Sequence, residues 1–157
     1  MAFAYIREAN IWYEDRGTRG EATLLHHGHT ASAENLQTLG SNLEKKHRLI
    51  SMESRGVGRS QHTREGYSLN SHADDVVNLM DYLKINSFNY IGHSMGGALG
   101  FQLAINYPKR VKRLILLAPI PSSGYKADKD FARKRDIFRL NKNIPLLKKL
   151  LRKRNTF

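Results

Sequence analysis

Short apolar runs alternate with amphipathic stretches along this chain, and the alternation predicts strands followed by helices. Apolar runs bounded by turn residues predict strands at residues 3–9, 11–15, 22–26, 48–52, 88–91 and 111–118. Apolar residues at helical spacing predict helices at residues 33–45, 71–83 and 98–107. The later strands are nearly continuous in apolar residues, which is typical of a parallel sheet covered on both faces.

Residues 71–83 form the clearest predicted helix. Its buried stripe is expected to consist of Val76, Val77, Met80 and Leu83. Ser71 is the predicted N-cap, because a serine hydroxyl can accept from the free amides of the first turn. Asp74 and Asp75 would then lie in that turn, where the helix dipole favours negative charge.

The order of these elements predicts the α/β class. Strands that alternate with helices indicate a mostly parallel, doubly wound sheet, here of about six strands. Residues 125–157 carry no strand pattern and are expected to form a basic helical segment. We therefore expect an α/β core at residues 1–124 and a separate helical part at 125–157.

The positive charge is concentrated in that second part. The net charge is +12. Residues 1–124 hold 14 Lys and Arg against 11 Asp and Glu, whereas residues 125–157 hold 12 against 3. Because no nucleic-acid-binding motif accompanies the charge, no nucleic acid partner is predicted. A cap over the core is the preferred interpretation of the basic segment, and attachment to an anionic membrane surface is the alternative.

Other features of the composition narrow the class further. The chain has no cysteine, which excludes disulfides and thiol catalysis. It has no apolar stretch of the roughly 20 residues that a transmembrane helix needs, and no secretory signal is visible. We expect a cytoplasmic protein that acts on a small-molecule substrate.

Gly92-His93-Ser94-Met95-Gly96 matches the G-x-S-x-G pattern between a predicted strand and a predicted helix. Such a turn exposes the Ser94 hydroxyl as a nucleophile and aims the Met95 amide at a developing oxyanion. Gly92, Gly96 and Gly97 are the predicted structural glycines of the turn. Gly92 and Gly96, two residues before and two after Ser94, are expected to pack against each other, so that a Cβ at either place would collide. Gly97 is expected to let the helix lie close to its strand. An ordinary helix N-cap is the alternative role for Ser94.

His27-Gly28-His29 follows the strand at residues 22–26 and is expected to supply the second oxyanion donor, the backbone amide of His29. We place His27, Gly28 and His93 in the binding site around Ser94. A metal site at the clustered histidines is disfavoured, because no carboxylate lies nearby. Residues 55–60 lack the third glycine of a dinucleotide fingerprint, so no cofactor is predicted.

These motifs resemble the α/β-hydrolase superfamily, on the branch that contains small esterases, lactonases and C–C bond hydrolases. The resemblance rests on Leu24-Leu25-His26-His27-Gly28, Arg55-Gly56-Val57-Gly58-Arg59-Ser60, Tyr90-Ile91-Gly92-His93-Ser94-Met95-Gly96-Gly97 and Pro108-Lys109-Arg110-Val111. It implies that the first two strands form an edge hairpin. It also implies that residues 1–124 are the N-terminal part of the fold, without its last strands, and that 125–157 begin a cap. Glu53 departs from the Asp usual in such sequences, and its effect is expected to be structural.

The resemblance implies an acid and a histidine after the serine, and this chain offers neither at a strand end. All seven histidines precede Ser94, and Asp128, Asp130 and Asp136 lie in the basic segment. We therefore expect a serine hydrolase of ester-like substrates that is weakly active or inactive alone. The alternatives are a His29–Ser94 dyad, a non-catalytic binding protein, and self-association or complementation by another chain at an exposed sheet edge.

Overall fold

A computed structural model describes residues 2–17 and 19–121 of the chain. The predicted basic segment at 125–157 and its three acids lie outside these residues. The predicted division into two parts therefore stays a prediction.

Six strands form one mixed sheet in the described part. They are β1 (Ala2–Ile6), β2 (Ala9–Arg16), β3 (Ala22–His26), β4 (Arg48–Met52), β5 (Phe88–His93) and β6 (Val111–Leu117), in the order β1-β2-β4-β3-β5-β6. The β1–β2 and β2–β4 pairs are antiparallel, and the β4–β3, β3–β5 and β5–β6 pairs are parallel. The predicted fold class and the edge hairpin are confirmed.

The helices begin and end slightly differently from the predictions. A 3₁₀ turn (Ala33–Leu36) precedes α1 (Gln37–Leu43), so the first predicted helix is divided in two. The second helix, α2, spans Leu69–Tyr82 and the third, α3, spans Met95–Asn106. The third helix begins immediately after Ser94, three residues before the start that the apolar pattern predicted.

The predicted cap of α2 is wrong. Ser68, not Ser71, is the N-cap, and its hydroxyl accepts a hydrogen bond from the Ser71 amide at 3.1 Å. Leu69 and Asn70 are helical although neither belongs to the apolar stripe, so periodicity alone placed the start too late. Asp75 consequently lies beyond the first turn, where it is fully buried.

A buried ion pair connects α2 with the loop after β4. The guanidinium of Arg55 donates to both carboxylate oxygens of Asp75, at 3.0 and 2.9 Å. Asp75 also accepts from Arg7 at 3.2 Å. Since Arg55 and Asp75 are nearly inaccessible, each charge needs the other, and Arg55 therefore has a structural role.

Glu53 stabilises the same loop. Its buried carboxylate accepts from the Arg59 side chain at 2.6 and 3.1 Å and from the Arg59 amide at 2.7 Å. The Arg59 guanidinium in turn stacks 3.4 Å from the centre of the Trp12 ring. Burial raises the pKa of Glu53, but these hydrogen bonds outweigh it and leave the pKa below its ordinary value. The expectation that Glu53 is structural is confirmed.

The main core lies between the sheet and α2 and α3. Its largest fully buried side chains include Tyr90, Phe88, Leu24, Ile50, Met80 and Leu103. Val76, Val77 and Met80 of the predicted α2 stripe are buried, and Leu83 is partly buried against them. None of the helices in the described ranges has the length and apolar character needed to cross a membrane.

Candidate active site

Ser94 occupies a sharp turn between β5 and α3. Its backbone has φ 55° and ψ −110°, a combination outside the main regions available to L-residues. The turn is tied to neighbouring chain segments, because the Ser94 amide donates to Leu117 O at 3.0 Å. The Ser94 carbonyl accepts from Ile120 N at 3.1 Å as well as from α3. The predicted strand–turn–helix geometry is therefore present, with strain stored at the serine.

The glycines of the turn are required by close backbone approaches. A Cβ on Gly92 would collide with the carbonyl of Gly96, and a Cβ on Gly96 would lie 2.6 Å from the carbonyl oxygen of His27. At Gly97 the nearest atom would be Pro119 Cβ, also at 2.6 Å. The close approach of Gly92 to Gly96 agrees with the expected packing, whereas a Cβ on Gly96 would meet the loop after β3 and not Gly92. The absence of a side chain at Gly97 allows Pro119, in the segment after β6, to lie against the start of α3.

The hydroxyl of Ser94 does not cap α3. Ser94 occupies the N-cap position, yet its side chain makes no capping hydrogen bond. Within the described ranges no other residue hydrogen bonds with this hydroxyl, and the side chain is only half-buried. The ordinary N-cap role does not account for these observations.

The loop after β3 lies directly beside this serine. A Cβ added to Gly28 would be 3.1 Å from Ser94 Cβ and 3.1 Å from Nδ1 of His93, so the loop can pass this closely only because residue 28 is glycine. His29 follows at an exposed position. The His29 amide donates to no carbonyl in the described part of the chain. The Met95 amide has no partner within α3, because the first amides of a helix have no carbonyl one turn before them.

Two stacked histidines lie beneath that loop. The rings of His26 and His27 are 5.0 Å apart and inclined by 18°. Ser54, two residues after β4, contacts both rings: its amide donates to His27 Nε2 at 3.0 Å, and its hydroxyl lies 3.1 Å from His26 Nε2. The remaining nitrogens contact backbone carbonyls, His26 Nδ1 that of His27 at 3.2 Å and His27 Nδ1 that of Gly28 at 2.7 Å.

Burial favours the neutral form of both imidazoles. Burial lowers the pKa of His26 well below its ordinary value and also lowers the pKa of His27, because the charged forms would lose hydration. Neither ring is open to a ligand, since both are almost fully inaccessible. The structure thus places the His27 side chain below the site, whereas Gly28 lies in it.

Tyr90 fixes the other side of the turn. Its hydroxyl donates to Gly96 O at 2.8 Å, and its ring stacks on that of His26 at 6.1 Å. Burial raises the pKa of Tyr90 well above its ordinary value, so the donor proton is retained. No role in the site was predicted from the sequence for Tyr90 or Ser54. Only their positions near the two motifs, Tyr90 within β5 and Ser54 two residues after β4, could have indicated them.

No imidazole is placed as a base for Ser94 in the described residues. His26 and His27 use their nitrogens in the interior, and His93 leaves the turn toward Gly28. His29 is exposed but makes no hydrogen bond with the serine hydroxyl. The His29–Ser94 dyad is therefore not formed in this conformation.

The comparisons with known proteins identify one family. The family model described as the alpha/beta hydrolase fold matches residues 22–147. A Variovorax paradoxus protein that bears the name carbamate hydrolase is 41% identical over 110 residues, which are 68% of this chain and 41% of that protein. A non-heme chloroperoxidase of Streptomyces lividans is 33% identical over 122 residues, covering 76% and 44% of the two chains.

A solved structure also matches this chain. Est816, described as an N-acyl homoserine lactone degrading enzyme, superposes with a TM-score of 0.78 at 26% identity. The match covers 87% of this chain and 51% of that one. The chain therefore spans about two fifths to one half of the length of these relatives.

Proposed function

Because the chain belongs to the α/β-hydrolase family, a family of hydrolases, we propose that it carries the nucleophile of a serine hydrolase acting on ester-like or related carbonyl substrates. One observation carries the proposal. Ser94 is held in a strained conformation with a hydroxyl that stabilises no described part of the fold. Such strain costs about 1–3 kcal/mol and is typical of residues kept for function.

The geometry supports a two-step acyl transfer. The Ser94 oxygen attacks the substrate carbonyl carbon, and its proton passes to a base. The negative charge that develops on the carbonyl oxygen is stabilised by the amides of Met95 and His29. Collapse of the tetrahedral species expels the alcohol or amine, which takes the proton back from the base. Water then hydrolyses the acyl-serine through the same steps.

The names of the relatives support a carbonyl substrate at a coarse level. The names carbamate hydrolase and N-acyl homoserine lactone degrading enzyme both refer to compounds in which a carbonyl group is bonded to oxygen or nitrogen. The chloroperoxidase shows that another activity occurs on the same fold. We therefore propose the carbonyl class and no narrower substrate.

The general base for Ser94 has to come from residues outside the candidate site. The seven histidines of the sequence all precede Ser94. His26 and His27 are bonded in the interior, and neither His29 nor His93 hydrogen bonds with the Ser94 hydroxyl in the described residues. We propose that a further segment or a second polypeptide supplies the imidazole and its acid. Alone, the chain should retain only the contribution of oxyanion stabilisation and binding, roughly 10³–10⁴-fold over water in enzymes that have lost their triad.

A fluorophosphonate that reacts with activated serines tests the proposal. We expect slow, single-site labelling at Ser94 by peptide mass spectrometry, accelerated by added imidazole because it supplies the missing base. Ser94→Ala should abolish labelling. Ser41→Ala is the matched control, since Ser41 lies exposed on α1 with its hydroxyl bonded to Gln37 O at 3.0 Å. Equal labelling of wild type and Ser94→Ala, or none with imidazole present, would reject the proposal.

A non-catalytic binding protein is the second candidate. It is favoured by the absence of any described imidazole within hydrogen-bonding distance of the Ser94 hydroxyl. Under this alternative, imidazole would leave the wild-type rate unchanged. The same labelling experiment therefore separates the two functions.

A further inference from the structure

The carbonyl of Gly28 is held from the interior of the protein. It accepts from His27 Nδ1 at 2.7 Å and, more weakly, from the Ala31 amide at 3.3 Å. The described chain contains no cis peptide, so the carbonyl of Gly28 and the amide of His29 point in opposite directions across their shared peptide plane. A bond that draws the carbonyl toward the His27 ring therefore turns the His29 N–H away from that ring.

The proton on the His27 ring is assigned by its two partners. The Ser54 amide can only donate, so His27 Nε2 must be an unprotonated acceptor. The Gly28 carbonyl can only accept, so Nδ1 must carry the proton. This tautomer is the one that can hold the Gly28–His29 peptide.

The ring has little freedom to move. It is fully buried, stacked on His26, and bonded on both edges. His26 is itself fixed by the Ser54 hydroxyl at 3.1 Å. Adjacent ends of the parallel strands β3 and β4 thus form one rigid support beneath the loop.

We propose that His27 is a positioning residue that orients the Gly28–His29 peptide and thereby directs the His29 amide toward the carbonyl oxygen of a substrate attacked by Ser94. The inference rests on the proposed function. His27 touches no substrate and acts only through the peptide. A purely structural histidine would change the stability of the fold but not the reactivity of the folded serine.

Two substitutions separate these roles. His27→Leu fills a similar volume but removes the donor to Gly28, whereas His27→Asn keeps an amide N–H near the position of Nδ1. With fluorophosphonate and saturating imidazole, we expect Leu to slow labelling of the folded protein about 10–100-fold, up to the loss of one oxyanion donor. Asn should restore the rate to within a few-fold of wild type. His47→Leu is the matched control, because His47 contacts Thr23 at 3.2 Å near the opposite ends of the strands.

Nitrogen NMR of the histidine rings gives a readout that does not require a reactive serine. At pH 7 His27 should be the Nδ1–H tautomer, and the His29 amide resonance should shift in His27→Leu but not in His47→Leu. An Nε2–H tautomer would overturn the inference, as would equal labelling rates for wild type and His27→Leu. If Ser94 is unreactive in wild type while the NMR result holds, the proposed function fails and the peptide orientation stands.

Discussion

Replacing Ser94 by glycine should make the protein more stable than replacing it by alanine. At φ 55° and ψ −110° a Cβ is strained, and such strain costs about 1–3 kcal/mol. Glycine has no Cβ, and the mirror image of this conformation lies in the broad β region, so glycine adopts both equally. Against this gain stands the extra chain entropy that glycine loses on folding, about 0.5–1 kcal/mol.

The difference between these terms is about 1 kcal/mol in favour of Ser94→Gly. For a chain of this size, that corresponds to a melting temperature about 2–4 °C higher than that of Ser94→Ala. Alanine is the appropriate reference because it keeps the Cβ and removes only a hydroxyl that bonds to no described residue. Ser94→Ala should therefore lie within about 0.5 kcal/mol of wild type.

Urea unfolding followed by circular dichroism measures both variants at pH 7.5. Equal slopes against urea would show that the same surface is exposed in each transition. A glycine variant equal to or less stable than the alanine variant would mean that the backbone at this position is unstrained. Backbone strain at Ser94 would then give no support to a catalytic role for this residue.

Three further predictions use the same unfolding measurement. Gly92→Ala should destabilise the protein by about 2–3 kcal/mol, because the new Cβ would collide with a backbone carbonyl that cannot move away. Gly40→Ala is the control: its Cβ would meet only the ends of side chains, so its stability should stay within about 1 kcal/mol of wild type. Asp75→Asn should cost about 3–5 kcal/mol by leaving a buried guanidinium unpaired, while Asp81→Asn, at an exposed pair, should cost less than about 1 kcal/mol. Burial lowers the pKa of His27 in the folded state, so the histidine binds a proton more readily in the unfolded chain, and the free energy of unfolding should fall as the pH drops below about 6.5. His27→Leu should reduce the slope of that free energy against pH by up to ~1.4 kcal/mol per pH unit. An unchanged slope would contradict the burial of a neutral His27.

The acidic limb of the stability curve should have a second component at lower pH. The folded-state pKa of Glu53 is also lowered, so its contribution is complete above its ordinary value and is lost only as the pH falls below it. The histidine and carboxylate contributions therefore occupy different pH windows.

Local sequence was sufficient for most elements of the fold. The bounds of β3 and β4 agree with the prediction at both ends, since each is a short apolar run that ends at polar or glycine residues. The cap of α2 was misplaced by three residues, because Ser68 and Ser71 are equally good capping residues and the sequence pattern does not decide between them.

The turn at Ser94 was in large part determined by the sequence itself. Gly92, Ser94 and Gly96 follow one another closely in the chain, and the collision of a Cβ on Gly92 with the Gly96 carbonyl arises within that short segment. The collision of a Cβ on Gly96, by contrast, is with the loop after β3 and depends on the tertiary structure. The serine's place between a strand and a helix follows from the change of apolar periodicity around it.

What each histidine does was decided only by the tertiary structure. His26 and Met52 are partners in the parallel β3–β4 register, and this register brings Ser54 beside two rings that are 28 and 27 residues away along the chain. Sequence patterns report which residues are buried, but a ring's tautomer and partners depend on donors that arrive from another strand. For that reason, the sequence could predict only that His27 lies near Ser94, whereas the packing of β3 against β4 determines that its ring lies in the interior beneath the loop.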